Sequence, residues 1–145
     1  MARVAPAPGT SLRVETPASS ANLGPGFDSI GMALGVWDEC VVTVTTEPGI
    51  VIEASGEGSE AVPRDGSHLV VRTMMRTWAE MGVPAPEGLH LLCTNRVPHG
   101  RGMGSSATAI VTGIVAAQAL CAPSESVGDF DRSFCNDLAA RLEGH

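Results

Sequence analysis

The feature that most restricts what this chain can become is a missing one: residues 102–124 contain no Asp, Glu, Lys or Arg. A run of that length raises the question of a membrane-spanning helix. Ser105, Ser106, Thr108, Thr112, Gly113 and Gln118 fall inside it, however, and most of its apolar side chains are small. Taken together, these side chains are too weakly apolar for insertion into a bilayer. The run is therefore expected to form a helix over residues 105–120, buried within a protein, and to break at Ala122, Pro123 and Ser124.

What precedes that helix carries the chemistry. Residues 98–108 read PHGRGMGSSAT, with Gly100, Gly102 and Gly104 at every second position. Glycines let the backbone take positive φ and allow a ligand to approach without meeting a Cβ. The first N–H groups of the following helix have no intrahelical partners, and the helix dipole puts about half a positive charge there. A polyphosphate at that end would be held by backbone amides, with the Ser105 and Ser106 hydroxyls as extra donors and Arg101 adding charge on the solvent side. The competing reading is a glycine-rich turn in which Ser105 or Ser106 merely caps a helix. The even glycine spacing also differs from the dinucleotide fingerprint G-x-G-x-x-G. The uncharged helix behind the loop, whose start would point at a central cleft, favours the phosphate reading.

Composition removes several other chemistries. All nine basic residues are arginine, which excludes a Walker-type lysine, a Schiff base and a lysine general base. Sixteen acidic residues leave a formal charge of -7, unsuited to nucleic acid or anionic lipid, and 3% aromatic residues without tyrosine make no base-stacking platform. Cys40, Cys93, Cys121 and Cys135 are widely spaced and form no C-x-x-C pair, so four reduced, mostly buried thiols are expected rather than a metal site or disulfide framework. Residues 1–10 lack an apolar h-region and read as a flexible tail, with a cytoplasmic location as the default.

The rest of the pattern suits one domain over residues 11–145. Strands are expected over 11–16, 40–46, 50–54 and 89–97, with a turn-rich stretch at 17–26 and an extended run at 29–36. Pro48 and Gly49 make a turn that would join the strands at 40–46 and 50–54 into a hairpin. Ser67 looks like the N-cap of a helix carrying Leu69, Val70, Met74, Met75, Trp78 and Met81 on one face and stopping at Gly82. A last amphipathic helix spans 127–142. Strands first, then helix, strand and helix, indicate an α+β class. The chain ends at Glu143, Gly144 and His145 directly after a helix, and is expected to be cut rather than finished. Asn22 and Asp28 flank a glycine-proline turn; they could hold an amino or hydroxyl group of a small polar substrate, or simply form the turn.

These segments together resemble a known family. PASSANLGPGFD at 17–28 followed by SIGMAL resembles the N-terminal motif of homoserine kinases, members of the GHMP small-molecule kinase superfamily. PHGRGMGSSATA at 98–109 resembles that superfamily's phosphate loop, P-x-x-x-G-L-G-S-S-A-A, and the terminal EGH resembles the start of a segment continuing P-D-N. Mevalonate-type relatives carry a lysine shortly after the first proline, where this chain reads Pro17, Ala18, Ser19 and Ser20. The likeness covers residues 11–145 and only the N-terminal half of a family member.

The resemblance implies the two-layer α+β fold of ribosomal protein S5 domain 2, followed in the family by a ferredoxin-like C-terminal domain missing here. It implies ATP phosphates on Pro98, His99, Gly100, Arg101, Gly102, Met103, Gly104, Ser105, Ser106, Ala107 and Thr108. L-Homoserine would meet Asn22, Asp28 and His145, and Mg2+ would meet Ser106 and an acidic residue, either Asp137 or Glu143. The implied reaction moves the ATP γ-phosphoryl group to the homoserine hydroxyl, giving O-phospho-L-homoserine and ADP in threonine biosynthesis. No general base is identified, because the superfamily's lysine–aspartate pair is absent. Partners are then ATP and homoserine, not nucleic acid or membrane, with a homodimer at full length and negligible activity for this piece alone. A GHMP-type kinase for another small alcohol, a non-catalytic nucleotide-binding module and a purely structural domain are the alternatives.

Overall fold

The computed structural model describes residues 4–21, 30–122 and 130–144. In chain order the elements are β1 (Ser11–Ser20), β2 (Met32–Val44), β3 (Gly49–Gly56), α1 (Leu69–Met81), β4 (Gly88–Asn95), α2 (Ser105–Leu120) and α3 (Arg132–Glu143). The class is α+β, with one four-stranded sheet among the described residues.

Two expected segments, 29–36 and 40–46, are joined into the single strand β2 from Met32 onward. β1 runs beyond its expected end, through Pro17, where its register on β2 shifts before Ser19. Proline has no N–H to give a ladder, so a bulge on an edge strand is where it is tolerated.

The expected hairpin does not form. The sheet order is β1-β2-β4-β3: β4 lies between β2 and β3, antiparallel to the first and parallel to the second. Thr45 N–H donates to the Gly88 carbonyl (3.0 Å) and Gly49 N–H to that of Glu87 (2.9 Å), turning the chain away from β2. The centre of the sheet goes to the strand that buries Leu89, Leu91 and Cys93, whereas β3 leaves Val51 exposed at the edge. β3, α1 and β4 form a parallel crossover unit, which a short Pro-Gly turn signal cannot reveal.

One sheet face carries the core. Val42, Val44, Leu89 and Leu91 meet Val71, Met74 and Trp78 of α1 and Ala116 and Ala117 of α2. The Trp78 indole N–H donates to the Ala117 carbonyl at 3.0 Å, so the largest buried side chain is also satisfied. α1 and α2 touch at Gly113, where a Cβ would lie 2.7 Å from the Thr73 Cβ and 2.8 Å from the Val70 carbonyl oxygen. α3 packs Cys135 and Leu138 on Ile110 and Ile114 of α2.

Helix ends differ in detail from expectation. The N-cap of α1 is His68 rather than Ser67: its Nδ1 accepts from the Val70 N–H at 3.2 Å, while Ser67 donates to Asp65. α1 stops at Gly82, as its sequence indicates, with φ 69°. α3 begins at Arg132 rather than 127, capped by Asp131, whose Oδ1 accepts from the Phe134 N–H at 3.1 Å. Residues 4–10, expected as a tail, are tied to the domain. Val4 N–H donates to the Cys121 carbonyl and Gly9 N–H to that of Val44, both at 2.8 Å. Among the described residues no helix is long and apolar enough to cross a membrane.

Candidate functional site

The loop between β4 and α2 is held from both sides. Asp38 of β2 accepts from the N–H groups of Arg96 (2.7 Å) and Val97 (2.9 Å), fixing where β4 ends. Ser19 N–H of β1 donates to the Met103 carbonyl at 3.0 Å. Between these anchors Gly100, Gly102 and Gly104 all adopt left-handed φ, at 68°, 70° and 69°. Gly104 faces a second restriction, since a Cβ there would lie 2.5 Å from the Ser19 Oγ.

A buried hydroxyl chain sets the angle at which α2 leaves the loop. Thr112 donates to the Thr108 carbonyl (2.7 Å), so Thr16 of β1 must be the donor in its 2.7 Å bond with the Thr112 hydroxyl. The Thr108 hydroxyl donates to the Gly104 carbonyl at 2.9 Å, with the Pro17 carbonyl at 3.3 Å. Thr108 is thus buried, and its hydroxyl is committed to the backbone.

Gly104 is the N-cap of α2, and no side chain caps the helix. Its first residues, Ser105 and Ser106, line a cavity of about 250 Å3 whose other walls include Val62, Leu69, Cys40 and Cys93. Arg64 fastens the 57–66 loop over this cavity, donating to the carbonyls of Ile52 (3.4 Å) and Ser59 (3.1 Å). The helix start is therefore open to a largely apolar hollow with amide donors at its rim. Such a place can take an anion on the helix and an apolar ring beside it.

The expected site residues separate into groups. His99 is exposed on the cavity rim, its ring against Gly58, and Arg101 is exposed on the loop. Ser106 Oγ donates to Glu143 Oε1 at 3.1 Å, bringing the start of α2 to the last turn of α3. Asp137 is exposed elsewhere on α3. Asn22, Asp28 and His145 lie outside the described residues. No group of three His, Cys, Asp or Glu side chains among the described residues could hold a metal by itself. The Ser106 and Glu143 oxygens do fit Mg2+, which takes one or two protein oxygens and completes its shell with phosphate and water.

Residues that motif reading missed also border the cavity: Asp38, His68, Asn95 and the cysteine pair. Burial, and then the positive charge of Arg64, hold the His68 imidazole below its ordinary range, which suits its work as a neutral acceptor at the head of α1. Asp38 left a sequence signal, because it shares the inward parity of Cys40, Val42 and Val44 on β2. A carboxylate at such a position needs donors, and the end of β4 supplies two.

The family profile described as the GHMP kinases N terminal domain matches residues 68–145. The homoserine kinase of Cutibacterium acnes is 48% identical over 93% of this chain and 45% of its own length. That of Mycolicibacterium vanbaalenii is 56% identical over 87% of this chain and 39% of its own. The chain thus spans less than half the length of these relatives. The crystal structure of a homoserine kinase from Cytophaga hutchinsonii superposes with a TM-score of 0.72 at 26% identity, over 92% of this chain and 41% of the other. Methanococcus jannaschii mevalonate kinase shares the fold alone, at 15% identity, with a TM-score of 0.67 over 93% of this chain and 46% of its own.

Proposed function

From the premise that this chain belongs to the GHMP kinases, we propose that it is the nucleotide-binding part of a homoserine kinase, which transfers the ATP γ-phosphoryl group to the hydroxyl of L-homoserine. The observation that carries the proposal is the uncapped start of α2, placed on a cavity behind three left-handed glycines. The amides of Ser105, Ser106 and Ala107 receive the phosphates, and the hollow lined by Val62 and Leu69 takes the apolar face of the base. Phosphoryl transfer depends on positioning and charge neutralisation rather than covalent catalysis, which agrees with a site lacking lysine.

Ser106 and Glu143 are assigned to Mg2+, with Glu143 preferred to Asp137 because it already meets the serine. When bound, that ion would offset the phosphate charge. Asn22, Asp28 and His145 are assigned to homoserine through the motifs they occupy, and threonine biosynthesis is the pathway this product would feed. Homoserine kinases at 48% and 56% identity support homoserine over another small alcohol.

Two measurements test this. ATP or ADP with Mg2+ should raise the melting temperature of the 145-residue chain, and absence of any shift would refute the nucleotide site. O-Phosphohomoserine formation, assayed beside mevalonate and shikimate in a protein that carries this chain and has the length of its relatives, should proceed with homoserine alone. Phosphorylation of either other alcohol in its place would overturn the substrate assignment.

A further inference from the structure

Cys40 and Cys93 are 53 residues apart in sequence, yet they face each other as a register pair between β2 and β4. Their sulfurs are 3.5 Å apart. Both line the cavity at the start of α2, although each is only 3% exposed overall. Directly opposed residues of an antiparallel pair have Cα atoms about 4.5–5.5 Å apart, inside the window of about 4.4–6.8 Å in which a disulfide closes without backbone movement. Packing alone would be served by any small apolar side chain at either position. Two sulfurs in bonding reach on one cavity wall add a chemistry that packing does not need.

We propose that Cys40 and Cys93 are an oxidisable dithiol, which a small hydroperoxide entering the cavity converts to an intramolecular disulfide. The two thiols are not equivalent. A hydrogen bond from Cys40 favours the Cys93 thiolate and holds Cys93 below the ordinary thiol range, whereas that same bond, and then burial, push Cys40 far above it. Cys93 is therefore the nucleophile and Cys40 the resolving thiol.

In the first step the Cys93 sulfur attacks one peroxide oxygen and the O–O bond breaks. The departing oxygen, hydroxide from hydrogen peroxide or alkoxide from an alkyl hydroperoxide, takes the proton that Cys93 gave up and leaves as water or an alcohol, and Cys93 becomes a sulfenic acid. In the second step the Cys40 sulfur attacks that of Cys93 and the S–O bond breaks. Hydroxide leaves as water, taking the Cys40 proton. Two thiols are oxidised by two electrons, and one hydroperoxide is reduced. The product staples β2 to β4 and draws the two sulfurs from 3.5 Å to a bond of about 2.05 Å at the cavity wall.

The experiment is independent of what the cavity binds. Purified protein is treated with hydrogen peroxide, quenched, unfolded, alkylated with iodoacetamide and mapped by mass spectrometry. The expected result is a peptide pair joined through Cys40 and Cys93, lighter by two hydrogens and separated by dithiothreitol, with Cys121 and Cys135 alkylated as thiols. In Cys40→Ser, dimedone should trap a sulfenic acid at Cys93, and Cys93→Ser should show much less trapping at Cys40. The proposal fails if all four cysteines remain alkylatable, if one cysteine is over-oxidised without the cross-link, or if disulfides form only through Cys121, Cys135 or a second chain. The wild-type map decides the question even if a variant does not fold.

Discussion

At Gly104 two constraints coincide: a φ of 69°, and a Ser19 hydroxyl 2.5 Å from where a Cβ would stand. Gly104→Ala is expected to cost about 1–3 kcal/mol in urea unfolding and to remove the nucleotide-induced rise in melting temperature, because the loop cannot keep its path. His68 is the second residue with a readable consequence. Its folded form resists protonation, so an unfolded chain takes up the proton first as pH falls below the ordinary value of 6.5. Stability present above that pH is then lost on acidification. His68→Asn keeps a capping acceptor that does not titrate, so denaturation midpoints for the variant should vary less between about pH 7 and pH 5.5 than those of the parent. The three loop glycines were legible in sequence because their spacing is itself the signal. His68 was not, since a histidine beside Ser67 gives no hint that the ring, rather than the hydroxyl, accepts from the helix.

Among the elements, α2 was the most legible, because an uncharged run has few places to go other than a core. Its orientation was not, since the hydroxyl chain from Thr16 through Thr112 to Thr108 joins residues 96 positions apart. Thr112→Val preserves shape but leaves the Thr16 hydroxyl without its acceptor. A loss of about 1–3 kcal/mol is expected in chemical denaturation, with weaker nucleotide binding as α2 shifts. Gly113→Ala tests the contact between α1 and α2 from the steric side: with Thr73 and the Val70 backbone already within 2.9 Å of the added Cβ, about 1–3 kcal/mol should be lost. The existence of the strands was readable from their β-branched residues. Their partners were not, because pairing depends on which strand buries more surface once α1 has crossed over.

At the scale of the molecule, the helices among the described residues cover one side of the sheet only. Adjacent residues of β4 therefore have opposite fates, with Leu91 0% exposed and Leu92 44% exposed. Leu91→Ala should lower stability by about 2–5 kcal/mol, whereas Leu92→Thr should stay within about 0.5 kcal/mol of the parent, both read from equilibrium unfolding. The α+β class was legible from element order, while the substrate residues expected at Asn22, Asp28 and His145 lie outside the described residues. The strand order has a consequence during synthesis. β2 leaves the ribosome with β3 close behind it, but its proper neighbour β4 begins only at Gly88. Until then one border of β2 stands bare, and the nearest partner on offer is the wrong one. The growing domain must keep that border unclaimed until α1 and β4 have emerged, with the three-glycine loop still to follow.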